Sequence, residues 1–207
     1  MPRSTSGKAG AQTTQLFPAS PAGTGIPDAS QALSALKRME EDSVNLRVLY
    51  LHWGYEFEIY PDPAIIRLAH ELAGAGADLI IGSHPHVIQP IEIWEEKLPG
   101  ADSPRKPRRT LIAYSLGNFT TTMYAPEHRL GMVLPVRITV KEPGERAGWQ
   151  IDKPLFVYNY PSGLAARNRR LLLYNDLFEE LREESPAKAV RLSKRLERVF
   201  RLAGHTF

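Results

Sequence analysis

The chain has 207 residues, of which 26 are Lys or Arg, 23 are Asp or Glu and none is Cys. The absence of Cys excludes disulfide frameworks, thiolate zinc sites, iron–sulfur clusters and a Cys nucleophile, and leaves metal sites built from His and carboxylates open. Residues 161–207 carry 10 basic and 6 acidic residues, so the rest of the chain is balanced in charge and gives no reason to expect a polyanionic partner. No apolar run reaches the roughly 18 residues of a membrane span, and the start of the sequence lacks the apolar core of a secretory signal, which predicts a cytoplasmic protein for the sequence as written.

The first predicted elements are a helix and a buried strand. Residues 1–29 are rich in Ser, Thr, Gly, Ala and Pro without any periodicity, and we expect them to form a disordered lead-in. Ser30 is expected to cap a helix that ends in the polar stretch 40–45. Residues 46–52, LRVLYLH, form a nearly continuous apolar run, which predicts a strand buried on both faces.

A βαβ unit is predicted to follow. Pro61 and Pro63 are expected to open a helix that Gly74 and Gly76 close, and residues 79–82 predict a second buried strand. Strand, helix and strand in this order predict two parallel neighbours joined by a right-handed crossover. Ligands of open α/β sheets lie beyond the carboxyl ends of the strands, so the residues that follow these two strands are candidates for a site.

The remainder of the chain is predicted to contain further strands and a helical tail. These strands are expected, in chain order, at residues 87–94, 110–115, 131–140 and 149–158. The last two are predicted to pair antiparallel across a Gly-containing link. Residues 161–207 are predicted to form a basic and mostly helical tail with a break near Pro186.

Three of the six histidines follow the predicted strands: His52, His84 and His86. Imidazole is the commonest protein metal ligand, and two histidines joined by a rigid Pro on one loop can present nitrogens to neighbouring metals. A lone His at a strand end is more often an ordinary hydrogen-bonding residue. Three histidines at one edge of a sheet favour a metal site instead.

Three stretches occur together in order: HWGYE at 52–56, LAHELAGAGADLIIGSHPHVIQPIE at 68–92 and IAYSLGNF at 112–119. In these stretches the chain resembles the bacterial capsule-synthesis family called CapA, which is associated with poly-γ-glutamate synthesis and related to calcineurin-like metallophosphoesterases. The resemblance runs from about residue 30 to residue 160. It implies an α/β fold, the four-layer α/β sandwich of the metallophosphoesterases, with a dinuclear metal site on loops beyond the strand ends.

The resemblance also implies roles for individual residues. His52 resembles a metal-binding histidine, and His84 and His86 resemble a closing pair in which each faces a different divalent ion, such as Mn, Zn or Fe. Glu56 and Asn118 match other motifs of the family and are candidate catalytic residues. Glu56 is either an acid/base group near the site or an exposed carboxylate that leads a helix. Asn118 either orients a site group or belongs to a turn.

Other metal ligands of the superfamily belong to an N-terminal half that has no counterpart in this sequence. The carboxylates before His52 are Asp28, Glu40, Glu41 and Asp42, and no Gly-Asp or Asn-His pair occurs there. We therefore expect a truncated domain, the C-terminal portion of a CapA-like fold at residues 30–160. A partial sandwich leaves strand edges and an apolar face uncovered, so a second chain or a missing segment is expected to complete the sheet.

Two functions of different classes follow from these observations. The first is metal-dependent hydrolysis or transfer on a polymer or phosphoester substrate in the biosynthesis of a cell-surface polymer, in a family whose members are often membrane-associated or exported. The second is a catalytically inactive remnant that acts as a binding or scaffold module. Nucleic-acid binding by the basic residues 105–109 is disfavoured, because no aromatic residue interleaves with them and a solvated loop explains them.

Overall fold

A five-stranded sheet forms the centre of the computed structural model, which describes residues 28–98, 106–140, 142, 145–161 and 169–203 and the backbone of residues 11–16. The strands are β1 (Ala11–Leu16), β2 (Leu46–His52), β3 (Leu79–Ser83), β4 (Ile91–Glu95) and β5 (Arg109–Ala113). Their order in the sheet is β1-β2-β3-β5-β4. The first four strands in this order are parallel, and β4 pairs antiparallel with β5 at one edge.

The predicted βαβ unit is confirmed. β2 and β3 are parallel neighbours in a register that pairs Val48 with Leu79 and His52 with Ser83. The connecting helix, α2 (Pro63–Gly74), begins with Pro63 in its first turn, and the Asp62 carboxylate accepts a hydrogen bond from the Ala64 amide at 2.7 Å. Because the register aligns the ends of β2 and β3, the loops after both strands leave the sheet side by side.

Two helices cover one face of the sheet. The first, α1 (Ala29–Glu41), is capped by Asp28, whose carboxylate accepts from the Ser30 amide, rather than by Ser30 itself. The second is α2. Both helices bury an apolar stripe against the same face of the strands, and the largest fully buried side chains of this core are Leu36, Met39, Leu49, Leu51, Trp53, Ile65, Leu72 and Ile80.

Strand β1 differs from the expectation of an unstructured lead-in over residues 1–29. Its six residues pair parallel with the first six residues of β2, from Ala11 opposite Leu46 to Leu16 opposite Leu51. The sequence AQTTQL has little apolar character, so periodicity does not reveal it, although Thr is a favourable residue in strands. The pairing comes from a strand about 35 residues away along the chain. The other residues of the predicted lead-in, 1–10 and 17–27, lie outside the described residues.

The predicted antiparallel pair in the second half is divided between two small sheets. Its strands are β6 (Leu130–Val133), β7 (Val136–Thr139), β8 (Gly148–Ile151) and β9 (Leu155–Pro161). β7 pairs antiparallel with β8, whereas β6 pairs antiparallel with β9. Pro135 and Pro154 stand in the breaks of the two long predicted strands, where Pro can donate no hydrogen bond to a strand ladder.

The predicted helical tail begins with a strand and shares a core with the sheet residues before it. β10 (Arg169–Leu173) pairs antiparallel with β9 and is followed by α3 (Tyr174–Glu184) and α4 (Pro186–Leu202). The break near Pro186 is confirmed, because Pro186 is the first residue of α4. Side chains of both helices pack against β6 and β9 in a second core that includes Leu130, Met132, Tyr158, Tyr174, Leu177, Leu196, Val199 and Phe200. The helices are therefore packed against the fold and are not a separate appendage.

The second face of the central sheet is covered over part of its area. Leu46, Leu79 and Leu111 pack against the β7–β8 pair in a third cluster. Tyr50 on β2 remains 37% exposed, and Ile93 on the edge strand β4 remains 41% exposed. The chain is thus a mixed α/β protein, while the four-layer metallophosphoesterase sandwich stays a prediction.

No helix among the described residues has the length and apolar character needed to cross a bilayer.

Candidate functional site

The three predicted histidines lie together beyond the carboxyl ends of β2 and β3. His52 is the last residue of β2, and His84 and His86 stand in the loop that follows β3. The ring centroids of His52 and His84 are 4.4 Å apart, and those of His84 and His86 are 6.0 Å apart. The parallel register of the two strands is what brings these loops together, as the sequence analysis predicts.

Glu56 joins two of these histidines in a group with the spacing of metal ligands. One ligand atom from each of Glu56, His84 and His86 lies within 4.8 Å of the other two. The Glu56 carboxylate oxygen Oε1 is 3.8 Å from Nε2 of His86, and the Glu56 side chain is half exposed. Since α2 begins only at Pro63, Glu56 does not lead a helix and its carboxylate faces the histidines instead.

Asn118 orients His86. The Asn118 carbonyl oxygen Oδ1 is 2.8 Å from Nδ1 of His86, while Nδ2 donates to the backbone oxygens of His86 at 3.2 Å and His128 at 2.9 Å. Because Nδ2 is engaged by two carbonyls, Oδ1 is the atom that faces the ring, and Nδ1 of His86 must carry the proton of the neutral ring. The lone pair of the neutral ring is then on Nε2, the nitrogen that lies 3.8 Å from the Glu56 carboxylate oxygen. Of the two interpretations of Asn118, the geometry favours orientation of a site group.

His52 lies beside this group but does not belong to it. Its Nδ1 is 3.4 Å from the Ser83 hydroxyl oxygen, which also donates to the Leu51 carbonyl. Burial lowers the pKa of His52, and the nearby His84 and His86 lower it further. The ring is therefore neutral at pH 7, the form that can bind a cation or accept a proton.

The loops that carry the site contain residues in the left-handed backbone region. His84 has φ 101°, Phe57 has φ 69° and His86 has φ 58°. Non-glycine residues rarely adopt these values because the Cβ atom crowds the backbone, and such strain gathers at functional sites. A hydrogen bond from the Phe57 amide to the Pro85 carbonyl at 2.8 Å ties the two strained loops together.

Trp53 connects the strand ends that carry the site. Its side chain is fully buried, its indole nitrogen donates to the Tyr114 carbonyl at 2.9 Å, and its amide donates to the Ser83 carbonyl at 3.1 Å. Gly82 makes this arrangement possible, since a methyl group there would overlap both the indole nitrogen and the Tyr114 carbonyl. The ends of β2, β3 and β5 are joined at this point, directly below the histidines.

His128 is a neighbour of the site that the sequence analysis did not identify. Its ring stacks on Phe57 with centroids 4.4 Å apart, and its carbonyl accepts from Asn118. Burial lowers the pKa of His128; Glu127 opposes this effect and His86 adds to it. His128 follows no buried strand, because it lies in a short 3-10 helix, Pro126–Arg129, so the pattern that reveals the other histidines is absent.

The arginines of the described part of the basic loop 105–109 form hydrogen bonds and ion pairs within the fold. Arg108 donates to the Glu96 carboxylate and to the Gly74 carbonyl. Arg109 pairs with Glu95 at 3.2 Å, and its guanidinium lies 5.1 Å from the ring centre of Trp149. Both guanidinium groups therefore have partners in the protein. Arg105 lies outside the described residues.

The donor set of the cluster fits a divalent transition metal. Two imidazoles and one carboxylate are the ligands of many catalytic zinc sites and of open non-haem iron sites. A metal-binding histidine commonly donates its other ring nitrogen to a fixed acceptor, which is the arrangement of His86 with Asn118. Glu56, His84 and His86 are therefore the residues that could hold one ion, with His52 adjacent.

Comparison with known proteins places the chain in a family. Residues 2–123 match the family described as bacterial capsule synthesis protein PGA_cap. The PGA biosynthesis protein CapA of Bacillus subtilis (strain 168) is 40% identical over 72 residues, which are 35% of this chain and 16% of that protein. The capsule biosynthesis protein CapA of Bacillus anthracis is 34% identical over 87 residues, which are 42% of this chain and 18% of that protein. The chain thus matches less than a fifth of either relative's length, and the resemblance predicted from its motifs is confirmed. Because the family match covers more than half of its length, the chain belongs to the bacterial capsule synthesis protein family PGA_cap.

Proposed function

We propose that the chain provides a metal-dependent hydrolase or transferase site in the biosynthesis of a capsule or poly-γ-glutamate polymer. The observation that carries the proposal is the convergence of Glu56, His84 and His86 at the carboxyl edge of the parallel sheet. The family and the names of both relatives support the biosynthetic context. The substrate would be a phosphoester or acyl group of a polymer or its precursor.

Each residue of the cluster has a task in this proposal. Glu56, His84 and His86 would hold a divalent ion of the Mn, Zn or Fe type, and the ion would supply Lewis acidity to the phosphoryl or acyl oxygen. Asn118 accepts a hydrogen bond from Nδ1 of His86, which in the neutral ring leaves the lone pair on Nε2, the atom that would bind the ion. His52 stays neutral at pH 7 and can either add a ligand or accept a proton from a water molecule.

Metal analysis tests the proposal directly. The purified full chain is equilibrated with Zn²⁺ or Mn²⁺, passed through a desalting column and measured by plasma mass spectrometry. We expect about one ion per chain in the wild type and little in the H84A/H86A variant, because two of three donors are lost. His70→Ala is the matched control, because His70 is a histidine on α2 that pairs with Glu92 away from the cluster.

The result that contradicts the proposal is a wild-type chain without bound metal, or equal metal content in the wild type and the double variant. A turnover assay with a chromogenic phosphodiester and a chromogenic ester then separates catalysis from binding. Metal retention without turnover of either probe would favour a binding module over an enzyme.

A second candidate function is a non-enzymatic binding or scaffold module. Tyr50 and Ile93 support it, since each is a large apolar side chain more than a third exposed on the second face of the central sheet. In this alternative a second chain or a further protein segment would cover the face and complete the sheet. Sedimentation velocity over a range of concentrations tests the idea. Self-association that weakens in a Tyr50→Ser, Ile93→Ser variant would support it, and a monomer at every concentration would contradict self-pairing.

A further inference from the structure

A cavity of about 550 Å³ lies in the C-terminal part of the fold, away from the histidine cluster. It is bounded by the 3-10 helix Pro126–Arg129, by β9, by the end of α3 and by one face of α4. Small-molecule sites in proteins typically have volumes of about 300–1,000 Å³, so this cavity can hold a ligand of ordinary size. All of its described lining residues follow residue 123, the last residue of the family match. The cavity is thus a feature of this chain that the family match does not assign.

The walls of the cavity are largely apolar. Leu181 from α3 and Leu192 from α4 face Tyr158 and Tyr160 from β9. Burial raises the pKa of Tyr158 to about 12, so its hydroxyl stays protonated at neutral pH and adds no negative charge. Walls of this kind bind the hydrocarbon part of a ligand.

The rim of the cavity is cationic. Four of the described lining residues belong to α4 and are basic: Lys188, Arg191, Lys194 and Arg195. Positions 188, 191 and 195 are spaced by three and four residues, which puts them on the same side of the helix. Arg129 adds a fifth positive charge from the 3-10 helix, and no carboxylate belongs to the described lining.

Most of these cations form no ion pair with another described residue. Arg195 pairs with Glu127, but Lys188, Arg191 and Lys194 form no ion pair in the part of the chain that the structure describes. Three unpaired cations beside an apolar cavity complement a negative charge attached to a hydrophobic body. Inorganic phosphate would pair with the basic side chains of the rim but would make no contact with the apolar walls. A neutral hydrocarbon would contact the apolar walls but would leave the basic side chains without a counter-charge.

We propose that this cavity binds one anionic amphiphile, with its hydrocarbon body against Tyr160, Leu181 and Leu192 and its acidic head paired with the cations of α4. Arg and Lys both bind phosphate and carboxylate heads through charge-assisted hydrogen bonds. The site is separate from the metal cluster, since none of Glu56, His84 and His86 belongs to the described lining. Loss of metal binding would leave this ligand site unaffected.

Titration calorimetry with three matched probes tests the ligand class. The probes are decyl phosphate below its micelle concentration, decyl maltoside with the same tail and a neutral head, and inorganic phosphate with the head alone. We expect one decyl phosphate per chain, bound at least about tenfold more tightly than either control. Equal binding of decyl phosphate and decyl maltoside, or no binding of decyl phosphate, would overturn the proposal.

Two variants and one control locate the site. Arg191→Glu reverses a charge at the rim, Leu192→Trp fills the cavity, and Arg201→Glu makes the same charge change elsewhere on α4. We expect the first two to weaken decyl phosphate binding about tenfold or more, and the control to weaken it less than about threefold. Similar losses in Arg191→Glu and Arg201→Glu would refute a specific site, because they would reveal general charge attraction. Arg191 is exposed, so its variant is expected to fold even if the larger side chain at position 192 is not tolerated.

Discussion

Gly82→Ala tests whether the close contact of strands beneath the site holds the fold together. A methyl group at position 82 would overlap the Trp53 indole nitrogen and the Tyr114 carbonyl oxygen, which are the donor and acceptor of one buried hydrogen bond. Overpacking in a core costs about 1–3 kcal/mol, and leaving a buried donor and acceptor unpaired costs about 1–3 kcal/mol more. Replacing Gly by Ala in a strand returns about 0.5–1 kcal/mol through the entropy of the unfolded chain. We therefore expect Gly82→Ala to lower the free energy of unfolding by about 1–5 kcal/mol.

Urea unfolding followed by circular dichroism at 222 nm measures this loss, and Gly74→Ala provides the matched control. Gly74 is the last residue of α2, and a methyl group there would meet no atom within 4 Å. Its variant is expected to stay within about 1 kcal/mol of the wild type. A Gly82→Ala protein as stable as the Gly74→Ala protein would refute the reasoning. In a Trp53→Phe background the loss from Gly82→Ala should shrink, because the hydrogen bond it disrupts is already absent.

Three further predictions follow from the same region. Trp53→Phe removes the indole donor and leaves the Tyr114 carbonyl without this hydrogen bond. We expect it to lower the free energy of unfolding by about 2–4 kcal/mol in the same urea assay. The loss should exceed that of the control Trp94→Phe, because Trp94 is partly exposed. Asn118→Ala removes the acceptor of His86 and should weaken metal retention about 10–100-fold in an equilibrium titration; unchanged retention would contradict the orienting role. The pKa of His128 is lower in the folded chain than in the unfolded chain, where it is about 6.5. As the pH falls below about 6.5, the unfolded chain therefore protonates this histidine before the folded chain does. The stability that neutral His128 contributes is complete above that pH and is lost below it. His128→Gln should therefore make urea midpoints less sensitive to pH between 7 and 5, and an unchanged slope would contradict the prediction.

The elements that the sequence predicts well are those with a strong local signal. β2 has the predicted bounds because LRVLYLH is a nearly continuous apolar run that ends at His52, two residues before Gly54. α2 begins at Pro63 as expected, because Pro favours the first turn of a helix and the apolar stripe has helical spacing. Both signals are contained in a few neighbouring residues, so no knowledge of the rest of the fold is needed.

The elements that were missed depend on distant parts of the chain. β1 is recognisable only through its pairing with β2, since its own residues are mostly polar. The apolar run Leu171–Leu173 has the composition of the helix that follows it, but antiparallel pairing with β9 makes it part of β10. The division of the β6–β9 region into two sheets likewise follows from which strands meet in space. Periodicity within one segment carries no information about such partners.

The candidate site shows the same division between local and distant information. Parallel strands that end in His52 and in Ser83, just before His84, must deliver these side chains to one edge of the sheet, so their meeting could be predicted. Spacing alone does not show that Glu56 rather than His52 has the ligand distances to His84 and His86. The position of Glu56 depends on the turn at residues 53–57.

The strained loops explain why that turn has a single conformation. Phe57, His84 and His86 all have positive φ, each at a local cost of order 1 kcal/mol or more, and no local preference of their sequences compensates for it. The compensation comes from contacts around the loops: the Phe57 amide bonds to the Pro85 carbonyl, and Asn118 holds both the ring and the carbonyl of His86. Since these contacts are made by the protein itself, the two imidazoles and the carboxylate are brought into reach of one ion by the fold. The backbone thus departs most from the preferred φ values of its residues in the loops where the chemistry is proposed. Such strain is expected at a functional site, because contacts elsewhere in the fold can compensate for it and fix the geometry of the side chains.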